Sequence, residues 1–155
     1  MKKILLTVVA ALCMAGAASA QDKGKWALGP QIGVYTNTGG DGAIFGVGAV
    51  SRYSISDVWR IQPAVTFLCK KHCSVDISAD MQYIFHPARF WKLYPQLGLS
   101  ANDIGDWSCG INVGAGTDLS IARNWDLTAG FKWMIQTHKN WKNPIIISLG
   151  ATYKF

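Results

Sequence analysis

Glutamate is absent from this 155-residue sequence, so its nine acidic residues are all aspartate. Charged residues make up only 15% of the chain, and long segments rich in Ala, Leu, Glu and Lys at helical spacing are missing, which argues against a helical bundle. Beyond residue 20 no apolar run approaches the roughly 20 residues of a membrane-spanning helix. A chain of this kind enters a bilayer only as a closed barrel, the other fold that satisfies every backbone group there. The three histidines, His72, His86 and His138, fall in or beside turn-rich stretches and at no metal-ligand spacing. No zinc spacing, Gly-rich phosphate loop or nucleic-acid motif is present, and the basic residues are scattered rather than striped. The sequence therefore gives no ground for a metal, a cofactor or a nucleic-acid partner.

What is present begins with a leader. Lys2 and Lys3 precede an apolar run from Ile4 to about Ala18, and the small residues Ala18, Ser19 and Ala20 stand before Gln21. Residues 1–20 are expected to be a cleaved signal peptide. The bulky Leu12 before Cys13 argues against a lipoprotein anchor. Removing the leader from 155 residues leaves 135, one domain's worth, with 13 Lys and Arg against nine Asp, a net charge of +4.

Turn signals cut residues 21–155 into eight segments of period-two alternation: 25–36, 43–55, 58–69, 73–85, 91–101, 107–121, 125–137 and 145–155. Each is about as long as the 9 to 11 residues a tilted strand needs to cross a bilayer. Trp26, Trp59, Trp91 and Trp125 open every second segment at intervals of 33, 32 and 34 residues, one hairpin per period. Tyr53, Tyr83 and Tyr153 close the segments between and return to the same end. These aromatics are expected to form a girdle at one rim. Between the rims one face carries residues such as Ile32, Val47, Val65, Leu97, Leu99, Val113, Phe131 and Leu149 and holds no charge. The other holds Gln31, Tyr35, Arg52, Arg60, Gln62, Asp76, Asp80, Gln82, Lys92, Gln96, Asn112, Asp118, Asp126, Lys132 and Lys154, interleaved with glycines. A soluble lipocalin-like barrel or sandwich binding an apolar ligand would bury the first face and wet the second; six Trp on the charge-free face argue the other way.

The final stretch, Ile145 to Phe155, is strictly alternating and ends Tyr153-Lys154-Phe155 on the apolar face. With the Gly-rich alternating strands before it, it resembles the small eight-stranded outer-membrane β-barrel family of Gram-negative bacteria, the opacity-protein and porin-like group. The resemblance covers the chain after its leader. It implies an all-β, eight-stranded antiparallel up-and-down transmembrane barrel in the bacterial outer membrane, structural or passing very small solutes. It implies further that Tyr153 and Phe155 are the signal read by the outer-membrane insertion machinery, and that termini and short turns face the periplasm.

In an eight-stranded barrel the bore is only wide enough for side chains to fill. Arg52, Arg60, Asp76, Asp80, Lys92, Asp118, Asp126 and Lys132 are therefore expected to form an interior ion-pair network. Arg52 and Arg60 are expected to meet Asp76 and Asp80 on neighbouring strands, with Lys132 or Lys92 meeting Asp118 or Asp126; a narrow polar channel or small-ligand cavity is the alternative. Cys69 and Cys73 flank a tight turn with equal parity, so they form either a disulfide or two free thiols, and Cys109 is left over. Lys70, Lys71, His72, His138, Lys139 and Lys142 against Asp41, Asp103 and Asp106 make a basic opposite rim, fit either for lipopolysaccharide phosphates or simply for solvent. Some outer-membrane barrels modify lipid A with a His-Ser-Glu arrangement, which a chain without Glu cannot build unless an Asp stands in for it. No local motif sets Ser78, Ser120 or Ser148 beside a histidine, so a non-enzymatic monomer among outer-membrane lipid is the expectation.

Overall fold

The computed structural model describes residues 24–38, 42–56, 58–69, 73–88, 90–103, 107–137 and 142–155, with His86 described in its backbone alone. The leader, Asp41, Lys70, Lys71, His72, Asp106, His138, Lys139 and Trp141 lie outside these residues. Nine strands are described: β1 (Trp26–Thr36), β2 (Ile44–Ser54), β3 (Trp59–Cys69), β4 (Ser74–Tyr83), β5 (Phe85–Ala88), β6 (Trp91–Asn102), β7 (Ser108–Ala122), β8 (Trp125–Gln136) and β9 (Ile145–Lys154). All neighbours are antiparallel, in the order β4-β3-β2-β1-β9-β8-β7-β6-β5, and β4 also pairs β6, which closes the ring. Gln82↔Gln96 and Phe85↔Leu93 keep one register across Ile84, so β4 and β5 are a single stave interrupted at one residue. The barrel has eight staves, and no sheet edge is left open along its ladders.

Three prolines explain where the ladders lapse. Pro30 pairs Ala49 on β2, but β1–β9 pairing skips Gly29 and Pro30. Pro63 pairs Ala79 on β4 while β2–β3 pairing skips it, and Pro95 pairs Ala115 on β7 while its position opposite Tyr83 is unpaired. Each lacks the N–H its second neighbour would need, so each ladder breaks on one side only. The break at Pro95 lies beside Ile84, where the β4–β5 stave is interrupted.

Alternation sorts the side chains as the strand period requires. Leu99, Ile147, Phe131 and Trp133 stand exposed on the outer wall, whereas Asp80, Gln82, Asn112 and Asp118 are fully buried inside it. At the rim holding the chain ends, called here the terminal rim, register sets Trp26 against Tyr53, Trp59 against Tyr83 and Trp125 against Tyr153. Their ring centroids lie 4.9, 5.0 and 5.3 Å apart. Trp91 lacks such a partner; its indole N–H donates to Thr117 Oγ1 at 2.6 Å. Turns here are short: residues 123 and 124 suffice between β7 and β8, and Ser56 Oγ accepts the Trp59 N–H at 3.1 Å. At the opposite, loop rim the Asn37 amide donates to the Asn143 carbonyl at 2.9 Å and ties two loops together.

Candidate functional site

Among the described residues the buried polar chemistry is gathered in the bore, which has three tiers. In the terminal half, Asp118 on β7 lies across the ring from β2. Its Oδ1 is 3.1 Å from Arg52 Nη1, and its Oδ2 lies 2.8 Å from Arg60 Nη2 on β3, an ion pair outside hydrogen-bond alignment. Thr128 Oγ1 donates to the same Oδ1 at 3.0 Å. The second guanidinium edges turn to glutamines: Arg52 Nε donates to Gln62 Oε1 at 2.7 Å and Arg60 Nε to Gln82 Oε1 at 2.6 Å. Gln82 passes its own amide protons to Gln62 and Gln96. Tyr94 lies beneath, the Arg60 guanidinium carbon 4.9 Å from its ring centre.

The middle tier is acidic. Lys132 on β8 ion-pairs with Asp80 on β4, whose other oxygen accepts from Asn112 at 3.1 Å. Tyr35 donates its hydroxyl to Asp76 at 2.7 Å. Toward the loop rim the third tier holds an apolar stopper, the buried cluster of Tyr35, Ile44, Leu68, Met134 and Ile146, with the buried polar Ser74, Asn102, Ser108 and Gln136 beside it and Asn102 donating to Met134 Sδ at 3.1 Å. Among the described residues the terminal end has no such stopper. It opens as a cavity of about 370 Å³ lined by Arg52, Arg60, Lys92, Lys154 and Asp126 among others. Lys154 pairs with Asp126 at 2.8 Å, and Ser120 donates to Asp126 at 2.7 Å.

These pairings differ from those expected on neighbouring strands. Arg52 and Arg60 meet Asp118, and neither Asp76 nor Asp80; Lys132 meets Asp80, not Asp118 or Asp126. In a ring this narrow the opposite wall is within reach of a long side chain, and the adjacent positions are already filled by glutamines. Lys92 stands in register with Asp118, yet that carboxylate is held by two arginines, and among the described residues no carboxylate pairs with Lys92. Period-two parity is the signal that places the apolar stopper. Its residues lie at strand ends where two apolar residues adjoin, such as Phe67-Leu68 and Trp133-Met134, so one of each pair must point inward.

Cys69 and Cys73 stand one step beyond the last β3–β4 pair, Leu68↔Ser74. Both thiols are free and exposed, as is that of Cys109, so of the two alternatives the structure holds the unbridged one. Of the basic rim only Lys142 and Asp103 fall among the described residues.

Apolar side chains all round a closed antiparallel ring, with ion pairs inside it, define a transmembrane β-barrel. The chain belongs to the outer membrane protein beta-barrel domain family, whose pattern matches residues 4–155. No curated protein matches the sequence. Among solved structures it is similar to the N-terminal β-barrel domain of Pseudomonas aeruginosa OprF, with a TM-score of 0.73 at 16% identity over 87% of this chain and 100% of that one. Neisserial surface protein A gives 0.68 at 21% identity over 86% and 100%. Ail, the attachment invasion locus protein of Yersinia pestis, gives 0.59 at 16% over 86% and 99%. At these identities the likeness is one of fold.

Proposed function

We propose that this protein is a non-enzymatic, structural constituent of the bacterial outer membrane, a monomeric barrel with a closed bore and its terminal rim toward the periplasm. The observation that carries this reading is the cross-bore network Arg52–Asp118–Arg60, with the fully buried Asp80, Gln82 and Asn112 beside it and the apolar cluster above. Side chains that meet across so narrow a bore leave no continuous water path, and breaking their buried ion pairs is costly. Its surroundings are outer-membrane lipid and lipopolysaccharide. Its partner during biogenesis is the insertion machinery, which reads Tyr153 and Phe155. Support for that signal lies in the closing seam: Phe155 N–H donates to the Trp26 carbonyl at 2.9 Å while its ring meets that of Tyr153 edge to face, centroids 5.2 Å apart.

The test has two parts. In the outer-membrane fraction the protein is expected to change gel mobility on boiling in detergent. In planar lipid bilayers the wild type is expected to give no steady ohmic conductance. A stable open-channel current would overturn the closed-bore reading and favour passage of very small solutes, and a change in lipid A mass on expression would overturn the non-enzymatic one.

A further inference from the structure

Among the described residues, the terminal cavity and the bore beneath it hold five cationic side chains, Lys25, Arg52, Arg60, Lys92 and Lys154, against two side-chain carboxylates, Asp118 and Asp126. The remaining bore carboxylates are engaged deeper, Asp80 with Lys132 and Asp76 with Tyr35. Cationic side chains thus outnumber carboxylates around one cavity among the described residues, and Arg52 is 2% exposed with its Nη2 given no hydrogen-bond partner by the protein. A buried guanidinium donor without an acceptor is costly, and a like-charged cluster raises that cost. We infer that this cavity is a binding site for a small oxyanion, a solute bearing phosphate or carboxylate groups, held between Arg52, Arg60 and Lys92.

Three features favour that ligand. The volume, about 370 Å³, falls in the range of small-molecule sites. The Nε edges of both arginines are fixed by Gln62 and Gln82 and one terminal nitrogen of each is engaged by Asp118, so the remaining terminal nitrogen of each is held in place for a charge-assisted hydrogen bond before any ligand arrives. The apolar cluster at the loop rim leaves the terminal end as the way in. Asp126 tunes the site, since it holds Lys154 away from the ligand's charge and adds repulsion of its own.

The experiment uses the mature chain folded in a maltoside detergent, whose headgroup carries no charge or phosphate. Inorganic phosphate and citrate are titrated separately at constant ionic strength set with chloride, and binding is read by calorimetry and by the urea midpoint. Saturable binding with a raised midpoint is expected for at least one probe; which one responds assigns the phosphate or the carboxylate class. Lys92→Gln should weaken binding about tenfold, whereas Lys142→Gln, which removes the same charge at the far rim, should change it by less than about twofold. Asp126→Asn should tighten it. No saturable response to either probe, or equal weakening by Lys92→Gln and Lys142→Gln, overturns the proposal. Binding is read in micelles and conductance in bilayers, so a failure here is distinct from a failure of the closed-bore reading.

Discussion

Asp118 lies 3.1 Å from Arg52 and 2.8 Å from Arg60, so its removal strands two buried cations, not one. Asp118→Asn is expected to cost about 3–5 kcal/mol in urea unfolding from detergent micelles, the range for orphaning buried charge. Asp126→Asn is expected to cost about 1 kcal/mol or less, because its partner Lys154 retains contact with water. Arg60→Leu falls between the two: it leaves the Arg52–Asp118 pair intact and replaces charge with packing, but takes a donor from Gln82. Equal costs for Asp118→Asn and Asp126→Asn would mean that the network contributes nothing particular. Membership of this network was legible as parity, since each of its charges falls on the bore-facing register of its strand. The partners were not, because they are chosen by the stagger of staves round the ring, which no single strand records.

Among the elements, the β6–β7 pair carries a local device. Tyr94 is paired in register with Gly116, and a methyl group added at Gly116 would lie 2.5 Å from the Tyr94 ring. The ring covers the glycine and supports Arg60, so aromatic and glycine work as one unit across two strands. Gly116→Ala is expected to destabilise the barrel by about 1–3 kcal/mol, the usual cost of overpacking. Tyr94→Ala should relieve that clash, so the double variant should lose less than the sum of the single ones in the same unfolding assay; strict additivity would sink the pairing. Strand positions themselves were readable within a residue or two, because alternation between lipid and bore persists along each stave, except that the fourth, expected to end at 85 before the turn-like His86-Pro87, runs on through β5 to Ala88. The interruption at Ile84 was hidden, since it depends on Pro95 of the facing strand.

For the whole molecule, the decisive property is that apolar surface faces outward at every bearing. Leu149, at the middle of β9, is half exposed, and Ile121, near the terminal rim, is more exposed still. In lipid vesicles Leu149→Arg is expected to cost about 2–4 kcal/mol and Ile121→Arg about 0–1, because a charge is most costly at the bilayer midplane. A reversed order in equilibrium unfolding would remove the lipid-facing assignment. The architecture was the most readable level of all, since it needs only the sum of eight alternations and a count of staves.

The stopper of Tyr35, Leu68 and Met134 has one more implication. On the closed-bore reading proposed above, with grease at one mouth and charge at the other, the protein is a blind well rather than a tunnel, wetted from a single compartment. Its direction of insertion then selects which solutes can ever touch its arginines, a choice settled once, when the barrel is assembled.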